Sequence, residues 1–266
     1  MSDIQELITN LADYITEISK IAIPNTDNRY IYRGQKNERW RIQSGALRRL
    51  QKEPSEHPEL LPNLFKGYIH QIIDEVQLRY SSVYNNLTAL ECMAHLQHNR
   101  VATGLIDFTY NPLVALWFAC ETDGATDGKV FVVNAQPDKI KEIKTRGALD
   151  QELKRFFEED GQWHLWQPSI DNSAVDTQRI TMQQSVFLFG LPEVEANMIE
   201  REILIPKDHK ETLLRELETM GISEKTLFSD LAGFFERNTA ASAYNMDLAE
   251  DYYTEEIRKA EAQGNE

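Results

Sequence analysis

Residues 95–119, HLQHNRVATGLIDFTYNPLVALWFA, constrain the fold more tightly than any other stretch of this chain. A helix is expected to end at His98, and an apolar strand to run from Val101 to Phe108. Thr109 then sits on the turn into a second helix, which Asn111-Pro112 starts. The turn sets an acid expected to be buried, Asp107, beside a hydroxyl, Thr109, and loops on rigid elements are where function concentrates. Upstream, Tyr32-Arg33-Gly34-Gln35 puts an arginine at the end of another apolar run.

The remaining periodicities predict a single α+β domain: a mixed or antiparallel sheet flanked by helices, with helices at both ends. Ile4, Leu7, Ile8, Leu11, Ile15, Ile18 and Ala22 form one apolar face, so residues 1–24 read as an amphipathic helix capped by Ser2 or Asp3. A long helix is expected from about Leu64 to Tyr84, with Phe65, Ile69, Ile72, Ile73 and Val76 inward, and another from a Thr88 cap to His98. Strands are expected at 129–133, 185–189 and 200–205, followed by a helix over 209–220 that Gly221 closes. Residues 136–178 read as an insertion of charged helix and loop around Trp163, Trp166 and Pro168. Residues 238–266 read as an acidic helical tail.

Charge is uneven. The chain is net −15, yet residues 29–52 carry eight Lys or Arg against one Glu. Phosphate neutralisation dominates nucleic-acid binding, which disfavours bulk association with such an acidic body. A local basic strip can still receive a small polyanion or one strand, or else it pairs with the acidic body. No apolar run reaches the roughly 18 residues of a membrane span, and the N-terminus lacks a signal-peptide pattern. A cytoplasmic protein without a membrane partner is therefore expected. Cys92 and Cys120 read as buried thiols. His95 and His98 share a helix face but lack a third ligand at usable spacing, so no metal site is expected.

Taken together, Tyr32-Arg33-Gly34-Gln35, Trp40, Gln97-His98, Thr103, Leu105, Asp107, Thr109, Asn111-Pro112 and Ala115–Phe118 resemble the FRG-domain family. Arg179, Gln183, Phe187 and the late Gly221-Ile222, Leu227-Phe228 and Asp230-Leu231 pairs continue the resemblance, which implies a domain over 29–237. Two positions depart from the family pattern. Ala102-Thr103-Gly104 stands where Pro-Thr-Arg is usual, and Phe108 stands where a Trp is common.

A weaker resemblance is to arginine-specific ADP-ribosyltransferases. It rests on Tyr32-Arg33-Gly34, on Thr109 with Ala115–Phe118, and on Glu200-Arg201-Glu202 running into Ile203-Leu204-Ile205-Pro206, in that order. It implies an ADP-ribosyltransferase-like fold with NAD as substrate, acting as a transferase on a protein or nucleic-acid acceptor or as an NAD glycohydrolase, in the manner of a toxin or antiphage effector. Arg33 and Gly34, joined by Gln35, His98, Thr103, Asp107, Arg179 and Gln183 of the FRG-domain resemblance, would hold the cofactor, and Glu202, Glu200 and Thr109 would be catalytic. The chemistry suits these types. Cleaving the nicotinamide–ribose bond builds an oxocarbenium-like centre that a carboxylate stabilises, and an arginine fork fixes a pyrophosphate. On a strand, Glu200 and Glu202 share a face; the second would hold the ribose and the first would orient or deprotonate the acceptor.

Other readings of the same residues stay open. Glu-Arg-Glu also suits a solvated strand edge, and Arg33 also suits a structural arginine buried against Asp107. A module that binds a phosphorylated ligand or a nucleic-acid strand without catalysis is the alternative function. Self-association through the terminal helices is a third possibility for the chain.

Overall fold

Each strand alternates its side chains between two faces, and in this protein the helices take one face while loops take the other. The computed structural model describes residues 7–22, 29–52, 58–121, 125–136, 138–146, 162–168, 177–239, 254–256 and 258–259. A seven-stranded mixed sheet runs through them: β1 (Tyr30–Gln35), β2 (Ile106–Thr109), β3 (Gly128–Asn134), β4 (Ile140–Ile143), β5 (Trp163–Trp166), β6 (Ser185–Phe189) and β7 (Ile199–Ile205). Their order is β4-β5-β6-β2-β1-β3-β7, and only β4 and β5 are parallel. This is the expected α+β class.

Two helical groups cover one face. Tyr32, Val130, Val132, Ile203 and Ile205 pack under α1 (Leu11–Ala22), α6 (Pro112–Cys120) and α8 (Lys210–Thr219). Phe187, Phe189 and Trp166 pack under α2 (Gly45–Leu50), α3 (Leu61–Arg79) and α5 (Ala89–His98). Between them lie α7 (Thr177–Gln183) and, late in the chain, α9 (Glu224–Leu227) and α10 (Leu231–Arg237); α4 (Ser81–Tyr84) follows α3. On the opposite face Ile31, Ile106, Phe108, Phe131, Val133 and Leu188 are roofed by Ile42, Leu191, Val194 and Met198.

β1 and β2 share one registered pair, Tyr32 with Thr109, whereas β1 pairs with β3 over six residues and β2 with β6 over four. Gly34 explains part of this geometry. A Cβ there would stand 1.8 Å from the Ala115 carbonyl oxygen, so only glycine lets α6 lie this close to β1.

Several expectations need correcting. The first helix begins at Leu11; Asn10 Oδ1 accepts the Asp13 amide at 3.0 Å, so Asn10 supplies the cap, and Ser2 and Asp3 lie outside the described residues. Nor is α1 an appendage: Leu11, Tyr14 and Ile18 are core residues, and Tyr14 Oη donates to the Pro112 carbonyl at 2.7 Å. The long helix runs Leu61–Arg79, breaks at Tyr80 and resumes as α4.

The second strand covers only Ile106–Thr109. Backbone groups before it are committed elsewhere: the Ala102 carbonyl accepts Tyr68 Oη, the Thr103 carbonyl accepts the Ala46 amide, and the Leu105 amide donates to Thr103 Oγ1. A chain so committed cannot also form a ladder. The presumed insertion at 136–178 contributes β4 and β5, with β5 buried on both faces between β4 and β6. Trp163 and Trp166 are core residues there. Of the tail, only residues 238–239, 254–256 and 258–259 are described.

Candidate functional site

A cleft of about 290 Å³ opens on the helical face of the sheet, between the two helical groups. Its floor holds Tyr32, Asp107, Thr109, Ser185 and Phe187, and its walls hold Gln97 and His98 of α5, Phe118 of α6, Arg179 and Gln183 of α7, and Phe228. Two neighbouring cavities meet it at Arg33. A basic cavity of about 1010 Å³ is lined by Arg33, Arg48, Arg49, Lys52 and Arg100, with Asp107 the one acid among the described residues that line it. A bay of about 590 Å³ lies beside Trp40.

Arg33 stands where β1 and β2 part. Its Nη1 donates to the Asp107 backbone carbonyl at 2.6 Å, where a ladder bond would otherwise lie. Its Nε is enclosed and has no hydrogen-bond partner, and among the described residues Arg33 makes no ion pair. Burial pulls its pKa below the ordinary arginine value; the nearby Asp107 charge opposes that shift and Arg48 adds to it. Arg33 as a whole is half-buried and faces all three cavities, so an anionic ligand there would pair a cation that is already partly desolvated.

Asp107 is exposed rather than buried, and its carboxylate does not pair with Arg33. Instead Asp107 Oδ1 accepts Gln97 Nε2 at 2.7 Å, and Gln97 Oε1 accepts the hydroxyl of the fully buried Thr103. Thr109 is also buried. Its Oγ1 donates to the Gln183 carbonyl at 2.6 Å and accepts the Asn111 amide at 2.9 Å, fastening the end of β2 to α7 and to the start of α6. Gln183 Nε2 in turn donates to the Leu227 carbonyl at 3.0 Å.

Arg179 pairs with Asp230 through Nε at 2.8 Å and lies over the Phe228 ring at 4.7 Å. His98 Nε2 is 3.6 Å from the same carboxylate. His95 faces away from this group, sharing a 2.8 Å hydrogen bond with Tyr84 Oη, and burial lowers its pKa.

Arg33, Gly34, His98, Asp107, Thr109, Arg179 and Gln183 thus line one cleft. Thr103 lines the basic cavity and Gln35 the Trp40 bay. Glu200 and Glu202 line none of the three. Ile203 and Ile205 point into the helical core, so period-two alternation turns Glu202 to the opposite face, where its Cα partner is Phe131. Its Oε2 accepts Lys129 Nζ at 2.8 Å. Glu200 falls where the β3–β7 register shifts, which breaks the simple shared face expected for the two acids.

Some site residues were given no site role from the sequence alone. Asp230 is the main one, and Ser-Asp before an apolar helix signals it as a cap: Asp230 Oδ1 accepts the Gly233 amide at 2.6 Å. Phe118 and Phe228 entered the sequence reading only through the family resemblance, with no site role attached.

The family model of the FRG domain matches residues 28–128. The chain carries an FRG domain. This domain supplies Arg33, the basic cavity's cations, the Gln97–Asp107 network and Thr109. Arg179, Gln183, Phe228 and Asp230, which complete the cleft wall, come from beyond the matched residues. No curated protein and no solved structure matches the chain. Among the described residues, no helix is long and apolar enough to cross a membrane.

Proposed function

We propose that the FRG domain of this chain binds a phosphorylated ligand of the nucleotide class. The observation that carries this reading is Arg33, a half-buried cation without an ion-pair partner among the described residues, at the meeting point of an aromatic-walled cleft and a basic cavity. Phe118, Phe187 and Phe228 suit a ring system, and Arg33 with Arg48, Arg49 and Lys52 suits phosphates. Among the described residues none of these four cations makes an ion pair; Arg48 donates to the Gln43 carbonyl and Arg49 to Tyr68 Oη.

NAD is the ligand to try first, and ADP-ribosyl transfer or NAD hydrolysis is the second reading. In its favour, Arg33 and Thr109 share the cleft. The exposed Asp107 carboxylate, which lines the cleft as Glu200 and Glu202 do not, takes the place of the acid in this proposal.

Calorimetric titration with NAD and ADP-ribose, together with an assay of nicotinamide release, tests both readings. Binding that Arg33→Ala abolishes supports the ligand reading, and release that Asp107→Asn abolishes adds the enzymatic one. If neither compound binds the unaltered chain at millimolar concentration, nor pyrophosphate, the nucleotide reading is wrong.

A further inference from the structure

The bay on the other side of Arg33 has a different character. Trp40, on the turn after β1, leaves 49% of its surface in water, while Trp117, Trp163 and Trp166 are core residues. Gln35, only 4% exposed, lines the same bay. Its amide nitrogen donates to the Arg41 carbonyl at 3.3 Å, but its Oε1 is shut from water and has no partner. A buried acceptor left unmatched is unfavourable by about 1–3 kcal/mol, and a ligand N–H would satisfy it.

The charges around this bay are also one-sided. Among the described residues, Arg33, Lys36, Arg39, Arg41 and Arg48 line it against the single acid Glu121. Two of the cations are already engaged, Arg41 with Glu193 and Arg39 with Glu38 at 3.9 Å. Arg33 and Arg48 line the bay and the basic cavity alike, so the two adjoin as a groove with a shared cationic border.

We propose that this groove takes a single-stranded nucleic acid, with one base stacked on Trp40 and read by Gln35, and the adjoining phosphates in the basic cavity. An indole platform beside a cationic track is the arrangement that single strands use, because bases stack on aromatic rings while cations follow the backbone. A free mononucleotide would fill only part of the groove. A duplex keeps its bases stacked inside and offers none to Trp40. The chain's net charge of −15 confines attraction to this strip and makes it sensitive to salt. The inference goes beyond the nucleotide reading and shares with it only the phosphate-binding cations, since Trp40 and Gln35 lie outside that cleft.

The test is fluorescence anisotropy of a labelled ten-nucleotide oligo(dA) with the full chain at about 50 mM salt, with unlabelled oligo(dA), AMP and a blunt duplex as competitors. The strand should bind, quench tryptophan emission and dissociate as salt rises. Trp40→Ala should weaken binding by about 5- to 100-fold, the range of one stacked base, with Trp40→Phe retaining most of it. Because Trp40 is on the surface, circular dichroism of Trp40→Ala should match the unaltered chain. NAD titration of Trp40→Ala should also be unchanged, which separates this site from the cleft. Failure to bind the strand, equal binding by Trp40→Ala, or competition by AMP or duplex as strong as by the strand would each overturn the proposal.

Discussion

Asp230 holds Arg179 with both carboxylate oxygens, Oδ2 to Nε at 2.8 Å and Oδ1 to Nη2 at 3.0 Å, and it is itself shut off from water. The same carboxylate caps α10, so one side chain ties α7 to α10 at the cleft wall. Asp230→Ala should destabilise the protein by about 3–5 kcal/mol, because it strands a largely buried guanidinium. Urea unfolding measures this. A double variant with Arg179→Met should lose less than the sum of the single changes, and strict additivity would mean that the two residues do not act as a pair.

Thr109 offers a second stability test. Its hydroxyl is buried between the Gln183 carbonyl and the Asn111 amide. Thr109→Val, which keeps the shape and removes both bonds, should be destabilising by about 1–3 kcal/mol; Thr109→Ser should lose less. Thermal melts of the two variants that coincide with the unaltered protein would show the hydroxyl to be dispensable.

Glu202 should be nearly silent. It is about half exposed and paired with Lys129 on an edge strand, and such pairs contribute about 0–1 kcal/mol. Glu202→Gln should leave melting and ligand titrations unchanged. A variant that binds NAD normally but loses nicotinamide release would restore Glu202 as a catalytic acid and make the reaction centre span the sheet.

Glu91 sets an acid limit. It closes the capping box of α5, with the Thr88 amide donating to its Oε2 at 2.8 Å and Arg146 Nε to its Oε1 at 2.9 Å. Burial alone would raise its pKa, but the Arg146 and Thr88 hydrogen bonds outweigh it, and the net shift is downward. A carboxylate lowered in the folded state contributes stability above its unfolded pKa and loses it as pH falls through the folded one. Stability should therefore decline from about pH 5 downward. Glu91→Gln should lower the melting temperature at pH 7 and make little difference at pH 3.

How much of this could be read in the sequence depended on whether the signal was local. Thr88 and Asn111-Pro112 mark the ends of α5 and α6 because caps act within one turn. Arg33 and Asp107 are neighbours as their motifs suggested, but the bond runs to a backbone carbonyl, which no residue type announces. The face of Glu202 was legible, since Ile203 and Ile205 must point inward and leave it outward. The strands at 140–143 and 163–166 were not: each is only four residues long, the second is buried throughout although it holds His164, and their pairing is set by distant partners.

The single registered pair between β1 and β2 divides the sheet into a four-stranded and a three-stranded half, each with its own helical core. The FRG domain takes β1 and α6 from one half and α5 and β2 from the other, leaving β3 beyond Gly128 and all of β4 to β7 outside. It is thus the join between two half-sheets, without the outer strands of either. Insertions and changed outer strands would leave such a join intact, so proteins that share this domain need share neither their flanks nor the walls those flanks build.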